Sequence, residues 1–161
     1  MLLFLFLFGL ALGAVSPSDD QQVNLQRGHC PTSWYDFYGR CYKYVSTQMT
    51  WADAELHCVS EGANLVSINS LEEYNFINAL IRNFDPADKL TWIGLSDTQK
   101  EGGWMWSDGS AVKVFFWNPG EPNNAGGEHC VHNNRDTNNT SNDHQCSNTF
   151  PFVCASRRIC P

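Results

Sequence analysis

Trp117-Asn118-Pro119-Gly120-Glu121-Pro122-Asn123 opens the informative part of this chain, and it is followed by Glu128 ahead of Cys130 and by Asn142-Asp143 ahead of Cys146. The carboxylates of Glu121, Glu128 and Asp143 and the amides of Asn123 and Asn142 lie beside two cysteines able to clamp their loops together. All are hard oxygen donors, which suit Ca²⁺, a cation that takes roughly six to eight oxygens at flexible geometry. Amides among the carboxylates also leave N–H donors at the metal for a hydroxylated ligand. The set points to a calcium-dependent sugar-binding module. Asn, Gly and Pro are ordinary turn residues, so any one of these positions alone reads as solvated loop. The five together, with both cysteines, carry the calcium reading.

Outward from this stretch, residues 117–146 are almost all Asn, Gly, Asp, Pro, Ser, Thr and His. So long a polar segment is unusual in a compact domain unless it is functional or disordered, and the cysteines argue against disorder. Trp106, Phe115, Phe116 and Trp117 are expected to anchor its base in the core. The first half reads as helical. Residues 50–60 form one helix, with Thr50 as cap, Asp53 in the first turn, and Trp51, Ala54, Leu56 and Cys58 facing inward. Gly62 ends it and residues 63–68 make a strand. A second helix starts at Ser70 with Glu73 completing a capping box. Its apolar positions Leu71, Tyr74, Ile77, Leu80 and Ile81 recur at helical spacing, and Asp85-Pro86 closes it. Strands are expected over 91–95, 104–106, 112–117, 128–131 and 150–154, and a stapled hairpin between Cys30 and Cys41. Two helices followed by strands and loops give an α+β domain.

The chain has 161 residues, enough for one domain. Residues 1–14 are apolar or small, too short to span a bilayer, and read as a secretory signal peptide. Residues 15–28 read as a polar, flexible arm and residues 29–161 as the domain. No later apolar run would anchor the mature protein, so it is expected to be secreted and extracellular. Seven cysteines, Cys30, Cys41, Cys58, Cys130, Cys146, Cys154 and Cys160, read in such a chain as a disulfide framework with one left over. The net charge of −7 argues against a nucleic-acid partner, since only Arg157-Arg158 approaches a basic cluster. No nucleophile elbow, phosphate loop or H-E-x-x-H helix is present, so no enzyme is expected. His129, His132 and His144 fall near the polar segment. A strand there would point His129 and His132 apart, so they read as solvated or supporting residues rather than a zinc site.

Trp92-Ile93-Gly94-Leu95, Trp106-Ser107-Asp108-Gly109, the 117–123 stretch, Cys130, Asn142-Asp143, Cys146 and Phe152-Val153-Cys154 resemble, in order, the motifs of the C-type lectin domain. The resemblance runs from Cys30 to Cys154 and is strongest toward the small secreted lectins of fish, a group that includes the type II antifreeze proteins. It implies two helices and two small antiparallel sheets with a long calcium-binding loop. It also implies the disulfides Cys30–Cys41, Cys58–Cys154 and Cys130–Cys146. The calcium ligands it implies are Glu121, Asn123, Glu128, Asn142 and Asp143, of which the first four would also hold the sugar, with Pro122 cis. In the family Glu-Pro-Asn goes with mannose, N-acetylglucosamine and fucose, and Gln-Pro-Asp with galactose, so mannose-type glycans are the implied partner and recognition of microbial surfaces in innate immunity the implied role. Asp97 and Glu101 fall where some relatives hold a second calcium, with Asn124 in place of the usual acidic residue. Ser141 stands where the family generally has Trp, which should loosen the loop carrying Asn142 and Asp143. Asn138 and Asn139 begin overlapping glycosylation sequons. Cys160 offers a disulfide-linked homodimer. The runner-up is an ice-binding protein of the type II antifreeze kind, against which stand missing cysteines near Thr98 and beside Cys130.

Overall fold

The computed structural model describes residues 24–87, 89–134 and 140–157. The expected signal peptide at 1–14, most of the expected arm at 15–28, the sequons at Asn138 and Asn139, and Cys160 lie outside the described residues. The end of the arm is already docked: Asp36 donates its N–H to Gln26 O at 2.7 Å, and Leu25 packs on the core.

The element order is β1 Tyr35–Phe37, β2 Arg40–Met49, α1 Trp51–Ser60, β3 Ala63–Leu65, α2 Leu71–Phe84, β4 Thr91–Ser96, β5 Met105–Trp106, β6 Cys130–Asn134, β7 Thr140–His144 and β8 Phe150–Ser156. β1, β2, β8 and β3 make one antiparallel ladder, and β5, β4, β6 and β7 make another. They join at a single parallel register, Trp92 opposite Phe152. Cys58–Cys154 fastens α1 to β8, Cys130–Cys146 closes the base of the β6–β7 hairpin, and Cys30–Cys41 staples the first hairpin.

Both helices start on their side-chain caps, Thr50 Oγ1 accepting from Asp53 N and Ser70 Oγ from Glu73 N. Glu73 reaches back one residue further than a capping box requires, to Asn69 N at 2.7 Å. Two expected core residues are outside: Leu56 is 66% exposed and Leu71 51%. The face of α1 is set by Ala54 and Cys58, four residues apart and fully buried. Leu56 is about 200° around the helix from both, on the solvent side. Leu71 sits in the first turn of α2, ahead of the face carried by Tyr74, Ile77, Leu80 and Ile81. Phe76 also enters the core, stacked on Phe37.

Residues 112–117 do not form the expected strand. Only Trp117 bridges, in parallel, to Ser141, while Val112 and Val114 face solvent and Phe115, Phe116 and Trp117 pack their rings on the core. Three consecutive aromatic rings anchor the segment here, with a single bridge in place of a ladder. Conversely Thr140–His144, polar throughout, is a strand, because pairing with β6 overrides weak intrinsic preference.

A buried arginine joins β2 to the start of α2 and to the turn after β5. Arg40 is 5% exposed and donates to Ser67 O at 2.9 Å, Glu73 Oε1 at 2.7 Å, Asp108 Oδ2 at 3.3 Å and Ser156 O at 3.0 Å. Ser67 Oγ accepts from Arg40 and donates to Asp108, and Tyr42 OH donates to Glu73 Oε1 at 2.6 Å.

Candidate functional site

The site is built on the β6–β7 hairpin, where Val131 faces Asp143 and His132 faces Asn142. Asp143 is fully buried, and its carboxylate holds the loop above it. Oδ1 accepts from Asn123 N at 3.2 Å and Oδ2 from Asn124 N at 2.8 Å. A turn bond from Glu121 N to Asn118 O, 2.9 Å, precedes a cis Glu121-Pro122 peptide. Asn124 Oδ1 accepts from Glu128 N at 2.8 Å, which folds the 124–128 turn back on itself. Asn123 then lies between the two glutamates. Its Nδ2 donates to Glu121 Oε1 at 3.1 Å, and Ala125 N reaches both Asn123 Oδ1 at 2.8 Å and Glu128 Oε2 at 3.2 Å. The structure thus brings Glu121, Asn123, Glu128 and Asp143 together, with Asn142 next along β7.

Two acceptors in this group have nothing to accept from: Glu121 Oε2 and Asn142 Oδ1 are buried and without a hydrogen-bond partner. The pKa of Glu121 is raised by burial first, then by the close approach and charge of the Asp143 carboxyl and by the charge of Glu128. Crowded carboxylates with orphan oxygens are what a hard divalent cation satisfies, so these residues fit Ca²⁺.

The hairpin is held where the expected Trp is missing. Ser141 is fully buried and donates Oγ–H to Asn133 Oδ1 at 3.0 Å, and Asn133 donates to Asn78 Oδ1 on α2 at 2.9 Å. Its N–H bonds Phe116 O at 2.8 Å and its carbonyl accepts from Asn118 N at 2.9 Å. The expected loosening is therefore not seen. A polar chain replaces the packing anchor, and sequence reading missed it because Asn78 and Asn133 look like surface residues. Ser141→Ala should leave Asn133 Oδ1 buried and unsatisfied, at about 1–3 kcal/mol of stability by urea denaturation. Calcium affinity should hold, since the backbone bonds to 116 and 118 remain.

The three nearby histidines do not gather into one site. His132 and His144 sit with Trp92 and Phe150, while His129 turns to Asp97 and Glu101. Burial lowers the His132 pKa to about 4, the charge of His144 adding and the backbone of Asn133 and the charge of Asp143 opposing. The unfolded chain protonates this ring near pH 6.5 and the folded one resists until about 4. Between those values the unfolded state binds more protons, so stability falls as pH drops, by about 3 kcal/mol in all. Denaturation in chelator across that window should show the slope, and His132→Leu should flatten it. Of the second calcium set, Asp97 and Glu101 meet at His129, and the oxygen of Asn124 is engaged by Glu128 N–H.

The Lectin C-type domain family model matches residues 47–156. Ladderlectin of Oncorhynchus mykiss is 40% identical over 151 residues, covering 93% of this chain and 80% of that protein. Lactose-binding lectin l-2 of Anguilla japonica is 40% identical over 142 residues, covering 85% of this chain and 84% of that protein. Among solved structures, a Ca²⁺-dependent type II antifreeze protein in its Ca²⁺-free form superposes with a TM-score of 0.73 at 34% identity, covering 79% of this chain and 99% of that one.

Proposed function

The chain belongs to the C-type lectin family, and we propose that it is a secreted lectin that binds mannose-type sugars through one calcium ion held by Glu121, Asn123, Glu128, Asn142 and Asp143. The family is one of carbohydrate-binding proteins rather than enzymes. The observation that carries the calcium reading is the crowding of Glu121 by Asp143 and Glu128, with Glu121 Oε2 and Asn142 Oδ1 left without partners. Bound there, Ca²⁺ supplies open coordination positions to the lone pairs of two neighbouring sugar hydroxyls. Glu121 and Glu128 would accept hydrogen bonds from the hydroxyls, and the amides of Asn123 and Asn142 would donate to the hydroxyl oxygens. Every polar atom is paired and the bonds are charge-assisted. Asp143 spends its oxygens on the loop backbone and the ion, not on the sugar.

A single shallow site of this kind binds a monosaccharide at about millimolar strength, so useful avidity needs several sites on one assembly. A Cys160–Cys160 disulfide would supply a second copy. Asn138 and Asn139, which begin the sequons, precede Asn142 by four and three residues in the sequence. No helix among the described residues is long and apolar enough to cross a membrane. An extracellular role in recognising microbial glycans follows from this reading.

The experiment is retention on mannose resin with calcium, release by chelator, and competition by free mannose against free lactose. The lactose arm matters because one relative is named for that sugar. Binding that survives excess chelator overturns the mechanism, and release by lactose alone overturns the sugar class. A second reading, ice binding, is favoured by the likeness to the type II antifreeze structure. Thermal hysteresis in the absence of sugar binding would select it.

A further inference from the structure

The first hairpin turns on Tyr38 and Gly39, with Phe37 opposite Arg40, and both turn residues have left-handed backbone, φ 48° and 77°. Such a turn selects Asn-Gly or Gly-Gly, because a side chain at positive φ crowds the following carbonyl. Tyrosine therefore stands where the fold favours asparagine. It is also 88% exposed, so burial does not offset the strain. Strain kept for an exposed aromatic side chain points to a ligand that uses it.

Tyr38 rims a cavity of about 760 Å³ between this turn, the start of α2 and the end of β8, in the size range of small-molecule sites. Its ring stands edge-on to Phe37 at 4.6 Å between centroids, and Phe37 stacks on Phe76 of α2 at 4.5 Å. The ring is thus braced against the core while most of its surface stays free. Among the described residues, Arg40, Lys113 and Arg157 line the cavity against one carboxylate, Glu73. Glu73 already accepts from Arg40, Tyr42 and Asn69 N, and Arg40 is engaged by Ser67, Asp108 and Ser156 as well. Lys113 is exposed and has no ion pair among the described residues. Arg157 donates Nε–H to Asn64 Oδ1 at 3.3 Å, which leaves its two terminal nitrogens to a ligand. In a chain of net charge −7 this is a locally positive pocket.

The rest of the lining selects the ligand class. The hydroxyls of Ser70 and Ser156 accept from Glu73 N and Cys41 N, so each keeps its O–H to donate. No aliphatic side chain is among the described lining residues, so an acyl chain would have nothing to bury against. A hydroxylated, anionic ring matches every feature. Its C–H face packs on the electron-rich face of Tyr38, its oxygens accept from the serines, and its sulfate or carboxylate takes charge-assisted bonds from Lys113 and Arg157.

We propose that this cavity binds a sulfated or carboxylated sugar without calcium. It shares no residue with the mannose loop, so it stands or falls apart from that reading.

The test is calorimetric titration of a heparin-derived tetrasaccharide into the purified protein in excess chelator, with inorganic sulfate and the desulfated tetrasaccharide as separate titrants. The expected result is one tetrasaccharide per chain, bound about tenfold or more tighter than inorganic sulfate and weakening as salt rises. Binding kept by the desulfated form assigns the carboxylate as the group recognised, and binding lost assigns the sulfate. Lys113→Ala combined with Arg157→Ala should weaken binding about tenfold or more. Tyr38→Asn should weaken it about threefold or more while raising the melting temperature, since asparagine suits positive φ. That opposition separates a lost contact from a damaged fold. Absence of tetrasaccharide binding overturns the proposal, and so does inorganic sulfate of equal strength, which would mean a bare anion cluster. Binding unchanged by both variants overturns it equally and assigns the polyanion to other cations.

Discussion

Arg40→Met is expected to cost about 3–5 kcal/mol of folding stability in urea denaturation, because it strands two buried carboxylates. Arg40 and Glu73 side chains are 6% and 4% exposed, and that of Asp108 is 9%. Burial pushes the pKa of Glu73 up, but the Tyr42 hydroxyl, the Arg40 charge and the Asn69 backbone together hold it below its ordinary value. Burial likewise works against Asp108, and hydrogen bonds from Ser110 and Ser67, with the Arg40 charge, outweigh it. A carboxylate with a lowered folded pKa contributes stability above its unfolded value, about 4 to 4.5, and that contribution is lost as pH falls through the folded value. Without Arg40 the same burial favours the protonated forms. The gap between parent and variant should therefore narrow below about pH 4. Adding Glu73→Gln and Asp108→Asn to Arg40→Met should recover part of the loss at neutral pH, since no uncompensated charge is then buried. A loss under about 1 kcal/mol for Arg40→Met would mean that water reaches the network and the carboxylates are not desolvated.

That network was invisible in the sequence, where Arg40 beside Gly39 reads as half of a turn. Its partners Ser67 and Asp108 lie 27 and 68 residues away, and nothing local announces them. The helices were legible because their signals are local: a cap, a charge three residues on, and a repeat of 3.6. Leu56 was misplaced by apolarity alone, when its angle from Ala54 and Cys58 already put it outside. β7 was illegible because Thr140-Ser141-Asn142-Asp143-His144 has no strand character of its own and takes it from β6. The oxygen donors of the loop could be read from residue type and crowding within a short stretch. The setting of His129 could not, since Asp97 lies 32 residues upstream and the pairing needs the bond between the 97 and 129 backbones.

Glu121→Gln should move two measurements in opposite directions, which separates a cation site from a polar loop. Glu121 is the carboxylate whose charged form the loop disfavours, through burial, Asp143 and Glu128. Without a cation, removing that charge relieves repulsion, so the variant should melt at a higher temperature than the parent in chelator. Gln keeps an oxygen to accept from Asn123 Nδ2, the bond Glu121 makes at 3.1 Å, so the turn itself should survive. With calcium the sign reverses. One of three anionic ligands is gone, and affinity in such sites follows ligand charge. Calorimetry should give calcium binding weaker on the order of a hundredfold, roughly 2.7 kcal/mol. At calcium levels that saturate the parent, retention on mannose resin should disappear with it, because Glu121 also accepts a hydrogen bond from a sugar hydroxyl. A surface loop with no ion would show the first effect without the second. If chelator melting falls instead of rising, Glu121 is paired by something other than Asp143 and Glu128, and the crowding that motivates the cation is absent.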